Sequence, residues 1–114
     1  MTHEERYNLL KNACEEALKR DPEVLEGKKI VFSEKSGKPW QKGIFYEFMC
    51  VPEKEVRICI ASMAVDCYRI IISKNMRWRL ANEYITEKIK EKNRNILVSS
   101  KSLDEDILGF TVTF

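Results

Sequence analysis

Histidine, glycine and proline are scarce in this sequence. Its 114 residues include one histidine, His3, four glycines and three prolines. Histidine is the usual general base near neutral pH, and His3 lies in a segment that we expect to be frayed. Nucleophilic sites that pair serine or cysteine with an internal histidine are therefore excluded. The glycines are scattered, and none belongs to a GxGxxG or GxxxxGKS/T phosphate-binding loop.

Carboxylates are the remaining side chains that could support acid–base or magnesium chemistry. The candidates are Glu47, Asp66, Asp104, Glu105 and Asp106. The acidic triplet falls in a predicted polar turn, where solvated carboxylates are ordinary. Glu47 lies in an apolar strand pattern and is better explained by a pairing with arginine. We predict that the protein is not an enzyme and uses no cofactor or metal ion, with a small hydrolase or nuclease as the enzymatic alternative.

Long apolar runs and paired cysteines are also missing. No run approaches the roughly 18 apolar residues that a membrane-spanning helix needs. The first residues lack the basic-then-apolar pattern of a signal peptide, which predicts a cytoplasmic protein without membrane contact. Four cysteines occur without CxxC spacing, which favours reduced, mostly buried thiols over disulfides or a zinc site. They are Cys14, Cys50, Cys59 and Cys67.

The composition is that of a small globular domain. Apolar residues make up 44% and charged residues 33% of the chain, and the formal net charge is +2. A protein that binds polyanions over its whole surface would usually be more basic, so nucleic-acid binding would need a local basic patch. We predict a single α+β domain over residues 1–114.

Hydrophobic periodicity gives the order of elements. Apolar residues recur at helical spacing in two segments, one starting after a capping box at Thr2 and Glu5 and one starting after residue 75. A short turn of helix follows Asp21 and Pro22. Strands are predicted over 30–32, 44–51, 56–61, 67–73, 96–98 and 108–114, with a polar turn over 102–106. The order α-ββββ-α-ββ predicts a mostly antiparallel sheet of about five to six strands, with both main helices on one face.

One face of this sheet is a candidate partner-binding surface. Alternation places Val56, Ile58 and Ile60, with their neighbours on other strands, under the helices. The opposite face is apolar but carries arginines and an acid, a mixture typical of protein interfaces. The residues predicted to contact a partner are Phe45, Glu47, Met49, Arg57, Arg69 and Ile71. We predict homodimerisation through this face; the alternative is a sheet that curls and buries its second face itself.

A basic hairpin is the second candidate surface. The predicted turn after the first strand combines lysines with a tryptophan, and such a combination can hold phosphates and stack on a base. Its residues are Lys35, Lys38, Trp40 and Lys42. The alternative is a solvated hairpin whose Trp40 folds back onto the core.

These observations favour a non-enzymatic, protein-binding function. Small inhibitors, immunity proteins and chaperone-like proteins of bacteria or phages act by contact and are of this size. We therefore predict a cytoplasmic protein-binding module of that kind, acting through a sheet face as a homodimer. Binding of nucleic acid or a nucleotide by the basic hairpin around Trp40 is the alternative.

Overall fold

The computed structural model describes residues 1–36, 51–73, 77–104 and 107–114. Within these ranges the chain forms three helices, two of them long, and five strands. The helices are α1 (His3–Lys19), α2 (Pro22–Leu25) and α3 (Trp78–Lys92). The strands are β1 (Lys29–Ser36), β2 (Glu55–Ser62), β3 (Cys67–Ser73), β4 (Leu97–Asp104) and β5 (Ile107–Thr113). The predicted α+β class is confirmed. Residues 44–50 of the predicted strand over 44–51 lie outside the described residues.

The five strands form one sheet in the order β1-β2-β3-β5-β4. The pairs β2–β3, β3–β5 and β4–β5 are antiparallel, which confirms the mostly antiparallel sheet. β1 and β2 pair in parallel, with Lys29 opposite Glu55 and Ser36 opposite Ser62. Sequence periodicity does not predict this parallel orientation, because alternation assigns side chains to the two faces of a strand and says nothing of the direction in which the strand runs.

The hydrophobic core lies between the sheet and the two long helices. Every second residue of three central strands belongs to this core. These residues are Val56, Ile58 and Ile60 of β2, Tyr68, Ile70 and Ile72 of β3, and Leu108, Phe110 and Val112 of β5. These side chains pack against the buried stripes of α1 and α3. The stripe of α1 consists of Leu10, Ala13, Cys14, Ala17 and Leu18, and the stripe of α3 consists of Ala81, Ile85 and Ile89. The prediction that both main helices cover one sheet face is therefore confirmed.

The start of α1 has the predicted capping box. The Glu5 backbone N–H donates to Thr2 Oγ1 over 3.1 Å, and the Thr2 N–H donates to Glu5 Oε1 over 3.2 Å. These hydrogen bonds satisfy amide donors that the first helical turn leaves without partners. They also stabilise the ionised carboxylate and lower the pKa of Glu5. The beginning of α1 is therefore fixed by its own side chains.

α2 is a single turn with a polar start and a left-handed end. Asp21 caps it by accepting from the Glu23 N–H over 3.0 Å, and Pro22 occupies the first turn. The chain then turns through two residues with positive φ, Glu26 at 52° and Gly27 at 77°. This end redirects the backbone into β1 two residues later. The short helix predicted from Asp21 and Pro22 is confirmed.

Two strands are longer than their apolar runs predict. β1 continues to Ser36 and β4 continues to Asp104, so residues 102–104 belong to a strand and not to the predicted polar turn. The cause is backbone pairing: Ser36 lies opposite Ser62, and Ser102 lies opposite Leu108. A bulge between Ser102 and Asp104 then interrupts the regular β4–β5 register.

Trp78 is an exposed member of the apolar stripe of α3. It is 39% exposed, whereas Ala81 and Ile85, further along the same stripe, have no accessible surface. Trp78 is the first residue of the helix, so it lies a turn before the stripe reaches the core. None of the helices in the described ranges is both long and apolar enough to cross a membrane.

Candidate protein-binding surface

The middle of the second sheet face, the one opposite the helices, is buried. Ile71 and its cross-strand neighbour Cys59 have no accessible surface, and neither does Ala61. The exposed part of this face therefore excludes Ile71. Arg57 and Arg69 are both half-buried. The other predicted partner residues, Phe45, Glu47 and Met49, lie outside the described residues.

Arg57 belongs to a polar row at one end of this face. Its backbone N–H donates to Ser73 Oγ over 3.1 Å, and Ser73 itself is only 2% exposed. Its guanidinium Nε lies 3.7 Å from Glu55 Oε2, and the other oxygen of that carboxylate lies 3.5 Å from Lys29 Nζ. Arg57 is therefore engaged within its own sheet, and Arg69 is the arginine of the pair that borders an open cavity.

That cavity is part of a groove along β4 and β5. A cavity of about 370 Å³ is lined by Arg69, Ser99, Ser100, Lys101, Gly109, Phe110 and Thr111. A second cavity of about 300 Å³ is lined by Lys90, Leu97, Val98, Ser99, Thr111 and Thr113. Both are lined by Ser99 and Thr111, so the two cavities adjoin, and we call them together the β4–β5 groove.

The groove exists because small residues occupy one face of this strand pair. Ser99 lies opposite Thr111, and Lys101 lies opposite Gly109. Gly109 has no side chain to fill the space between Lys101 and the neighbouring strand β3, where Ile71 is its partner. Strand alternation thus places short side chains along the floor and longer ones at the sides.

The sides of the groove are basic, with one exposed apolar side chain. Lys90 and Lys101 are exposed, and among the residues that the structure describes neither has an ion-pair partner. Nearby lysines of α3 are engaged: Lys88 lies 3.1 Å from Glu91, and Lys92 lies 3.0 Å from Glu16. Leu97 is 67% exposed at one end of the groove. The groove therefore offers two available cations and an apolar contact.

His3 is placed quite differently from the frayed position expected for it. Its Nε2 lies 3.0 Å from Glu34 Oε1, and its Nδ1 lies 2.9 Å from the Tyr68 hydroxyl. A carboxylate only accepts, so Nε2 carries a proton and donates it to Glu34, while Nδ1 shares a hydrogen bond with the Tyr68 hydroxyl. The two rings are stacked, with their centroids 5.7 Å apart. We call the unit of Glu34, His3 and Tyr68 the His3 clasp.

The His3 clasp ties the start of α1 to the sheet. Tyr68 is 1% exposed and meets Phe114 edge-on at 5.5 Å, so its hydroxyl is not open to a substrate. Arg6 adds a second tie, because its Nη1 donates to the Val65 carbonyl over 2.7 Å. The capping box is the sequence signal that could have revealed the clasp, since an ordered first turn also orders His3.

None of the cysteines in the described residues is part of a disulfide. Cys14 and Cys59 are buried and Cys67 is half-buried, while Cys50 lies outside the described residues. Burial raises the pKa of Cys14 from 9.0 to about 12, which makes its thiol unreactive at neutral pH. No group of three histidine, cysteine or acidic side chains within the described part of the chain could hold a metal ion.

The basic hairpin falls almost wholly outside the described residues. Lys38, Trp40 and Lys42 lie there, and Lys35 occupies a position in β1 opposite Ala61. Phosphate or nucleic-acid contact by these residues therefore stays a prediction.

Comparisons of the chain with protein-family models, with curated proteins and with solved structures find no match. The shape and charge of the β4–β5 groove are thus the observations that bear on function. The groove is open, lies on a rigid strand pair and combines polar, cationic and apolar groups. These properties suit the binding of a chain segment by contact, without chemistry.

Proposed function

We propose that the protein is a non-enzymatic binding module that holds a segment of another protein in the β4–β5 groove. The observation that supports this proposal is the coincidence of two adjoining cavities with the exposed Leu97 and with two cations, Lys90 and Lys101, that have no ion-pair partner among the described residues. A side chain such as Leu97 gains free energy when a partner covers it. Lysines that have no ion-pair partner among the described residues add attraction for a partner of opposite charge.

The partner segment is extended and acidic. Leu97 and Lys101 lie on the same face of β4, four residues apart, which corresponds to about 13 Å at roughly 3.3 Å per residue. A segment running along the groove would therefore place an apolar side chain near Leu97 and an acidic side chain near Lys101. The short floor residues Ser99 and Thr111 leave room for its backbone and offer hydroxyl groups for hydrogen bonds.

The proposal includes the cellular location of the protein as well as its binding surface. A reducing cytoplasm suits Cys14, Cys59 and Cys67, none of which is part of a disulfide. Inhibitors, immunity proteins and chaperone-like proteins of bacteria or phages are the classes that act through such a surface. The partner of a protein of this kind would be a protein from the same cell or its invader.

The test is capture of a partner by matched variants. We would immobilise the wild type, a groove variant (Leu97→Asp with Lys101→Glu) and a control (Val65→Asp with Arg79→Glu), and compare what each retains from a lysate of the native host. Both variants change one exposed apolar residue and one exposed cation, so they have the same net charge. We expect the wild type and the control to retain one protein that the groove variant loses.

The same experiment separates the alternatives. A protein retained equally by all three baits would contradict the groove as the binding surface. Nucleic acid in the eluate, recognised by its ultraviolet spectrum and lost on changing Lys35, Lys38 and Lys42 to glutamate, would replace protein binding with the basic-hairpin function. Circular dichroism of each variant confirms that it is folded before the comparison is made.

A further inference from the structure

One cavity of the β4–β5 groove is bordered by polar side chains from three neighbouring strands. Arg69 of β3 lies opposite Thr111 of β5, and Thr111 lies opposite Ser99 of β4, so the three residues form one row across the sheet. All three line the cavity of about 370 Å³. Residues directly opposite each other in an antiparallel pair share a face, so their side chains are on the same side of the sheet. A guanidinium group and two hydroxyl groups therefore border a single depression.

Lys101 adds a second cation from the next row of the sheet. It lies opposite Gly109 and also lines the cavity. Lys101 is on the same face as Ser99, because side chains two residues apart in a strand point the same way. At about 4.8 Å between strands and about 3.4 Å per residue, the Cα atoms of Lys101 and Arg69 are about 12 Å apart. The two long side chains thus border the space over Gly109, which has no side chain to divide it.

We propose that this cavity is a binding site for a phosphoryl group that the partner segment carries on a serine or threonine. The inference rests on the proposed function for the segment that presents the group, whereas recognition of the group depends on the cavity itself. A phosphoryl group has three acceptor oxygens and a charge of about −1.5 to −2 near neutral pH. The cavity offers donors of matching kind: a guanidinium fork, an ammonium group and two hydroxyl groups.

A phosphoryl group fits this set of donors better than a carboxylate does. One arginine can bind both oxygens of a carboxylate through two parallel hydrogen bonds. Here an ammonium group and two hydroxyl groups border the same cavity, so donors are present for a third oxygen and a second cation for a second negative charge. Lys101 is exposed and has no ion-pair partner among the residues that the structure describes. A doubly charged group is therefore the ligand that uses the whole set.

The surroundings of the cavity favour a phosphorylated protein segment over a nucleic acid. Proteins usually hold single-stranded nucleic acid with aromatic side chains on which successive bases stack. Phe110, the aromatic residue that lines the groove, is 1% exposed and belongs to the core. The exposed apolar side chain of the groove is that of Leu97, at 67%. An aliphatic contact of this kind suits an apolar side chain of a peptide and offers no platform for a base.

The positions of Leu97 and Lys101 give the spacing of the two groups in the partner segment. The two residues are four positions apart on one face of β4, and an extended segment covers the same distance in four residues. The phosphorylated residue should therefore lie four positions from an apolar residue. This spacing defines the peptide probes for the test.

Inorganic phosphate tests the cavity without a partner. We would titrate isotope-labelled protein with phosphate, at slightly alkaline pH, and with acetate at matched ionic strength, and follow the backbone amides by NMR. Phosphate should produce saturable shifts at Ser99, Lys101 and Thr111, and acetate should not. Lys101→Gln should weaken phosphate binding about tenfold, the effect of losing one charge-assisted hydrogen bond. Arg79→Gln is the control, because Arg79 is an exposed cation that lines neither cavity. Absence of saturable shifts in the wild type would overturn the proposal.

Three synthetic peptides of equal length test the phosphorylated segment. Each contains leucine and, four positions away, phosphoserine, glutamate or serine, in a background of glycine and threonine. In fluorescence anisotropy the phosphoserine peptide should bind the wild type at least about tenfold more tightly than the serine peptide, with glutamate between them. Lys101→Gln should remove this preference and Arg79→Gln should keep it. Equal affinity of the wild type for the phosphoserine and serine peptides would overturn the inference.

The outcomes separate this inference from the proposed function. Equal affinity for all three peptides, lost in Leu97→Asp, would leave the groove as a protein-binding surface and remove the phosphoryl site. Saturable binding of phosphate at the named amides without binding of any peptide would retain the phosphoryl site and contradict the proposed function. Tighter binding of single-stranded oligothymidylate than of the phosphoserine peptide, with shifts at the same amides, would overturn the assignment of the phosphoryl group to a protein segment.

Discussion

A single histidine links three elements of this protein. His3 begins α1, Tyr68 lies in β3 and Glu34 lies in β1, and hydrogen bonds of 2.9 and 3.0 Å join them. The hydroxyl of Tyr68 belongs to a side chain that is 1% exposed, so its hydrogen bond to His3 satisfies a group with little access to water. The two ring nitrogens of His3 thus attach the start of α1 to strands β1 and β3.

The His3 clasp predicts an energetic coupling between residues 65 positions apart. Removing either partner should lower the free energy of unfolding by about 1 kcal/mol, the typical net value of a hydrogen bond. In a double-mutant cycle, His3→Ala and Tyr68→Phe should be non-additive by about 0.5–1.5 kcal/mol, measured by urea unfolding. Lys19→Ala, at the other end of α1, should be additive with Tyr68→Phe. Strict additivity of the first pair would show that the hydrogen bond contributes nothing.

Cys14 predicts a specific loss of stability at alkaline pH. Burial raises the pKa of its thiol from 9.0 to about 12, so the folded state keeps a proton that the unfolded state loses. This contribution to stability is complete below pH 9 and is lost as the pH rises above it, by about 1.4 kcal/mol per pH unit. The pH dependence of urea unfolding should therefore be less steep above pH 9 in Cys14→Ala than in the wild type. Equal slopes would contradict the burial of the thiol.

At the scale of elements, the sequence predicts where helices and strands exist better than where they end. Ile58 and Ile60 alternate with smaller or charged residues, and Ala81, Ile85 and Ile89 recur every four residues. The need to bury one face of each element produces these patterns, so the sequence shows them. The end of β4 has no such signal. Ser102 is in the strand because Leu108 pairs with it, and that partner is decided by the fold.

The end of α2 depends on a glycine at positive φ. Gly27 has φ 77°, and a Cβ placed there would meet no atom within 4 Å, so the cost of a side chain is conformational and not steric. Gly27→Ala should lower the free energy of unfolding by about 1 kcal/mol. Gly27→Asn should cost less, because asparagine adopts the left-handed conformation more readily. Thermal unfolding of the two variants measures the difference, and an alanine variant as stable as the wild type would contradict this account.

For the molecule as a whole, the hydrophobic pattern predicts the helix-covered face but not the surface that remains. Val56 and Phe110 are assigned correctly because every second residue of their strands is apolar. Ile71 and Arg69 also alternate, yet one is buried and the other lines a groove. Ile71 lies opposite Gly109 and Arg69 lies opposite Thr111, and these partners are decided by the fold. Strand order and the parallel β1–β2 pair are equally non-local, so no single segment encodes them.

The contrast between the centre and the edge of the second sheet face gives a direct test of this arrangement. Ile71 has no accessible surface and Leu97 is 67% exposed, although both are large aliphatic residues on the same face. Ile71→Ala should lower the free energy of unfolding by about 2–5 kcal/mol, because it removes buried methyl groups and leaves a cavity. Leu97→Ala should change it by less than about 0.5 kcal/mol, as expected for a surface position. Urea unfolding of both variants measures the difference. Equal effects of the two substitutions would mean that the second face is uniformly open or uniformly covered, and the β4–β5 groove would then lose its distinction from the rest of the sheet.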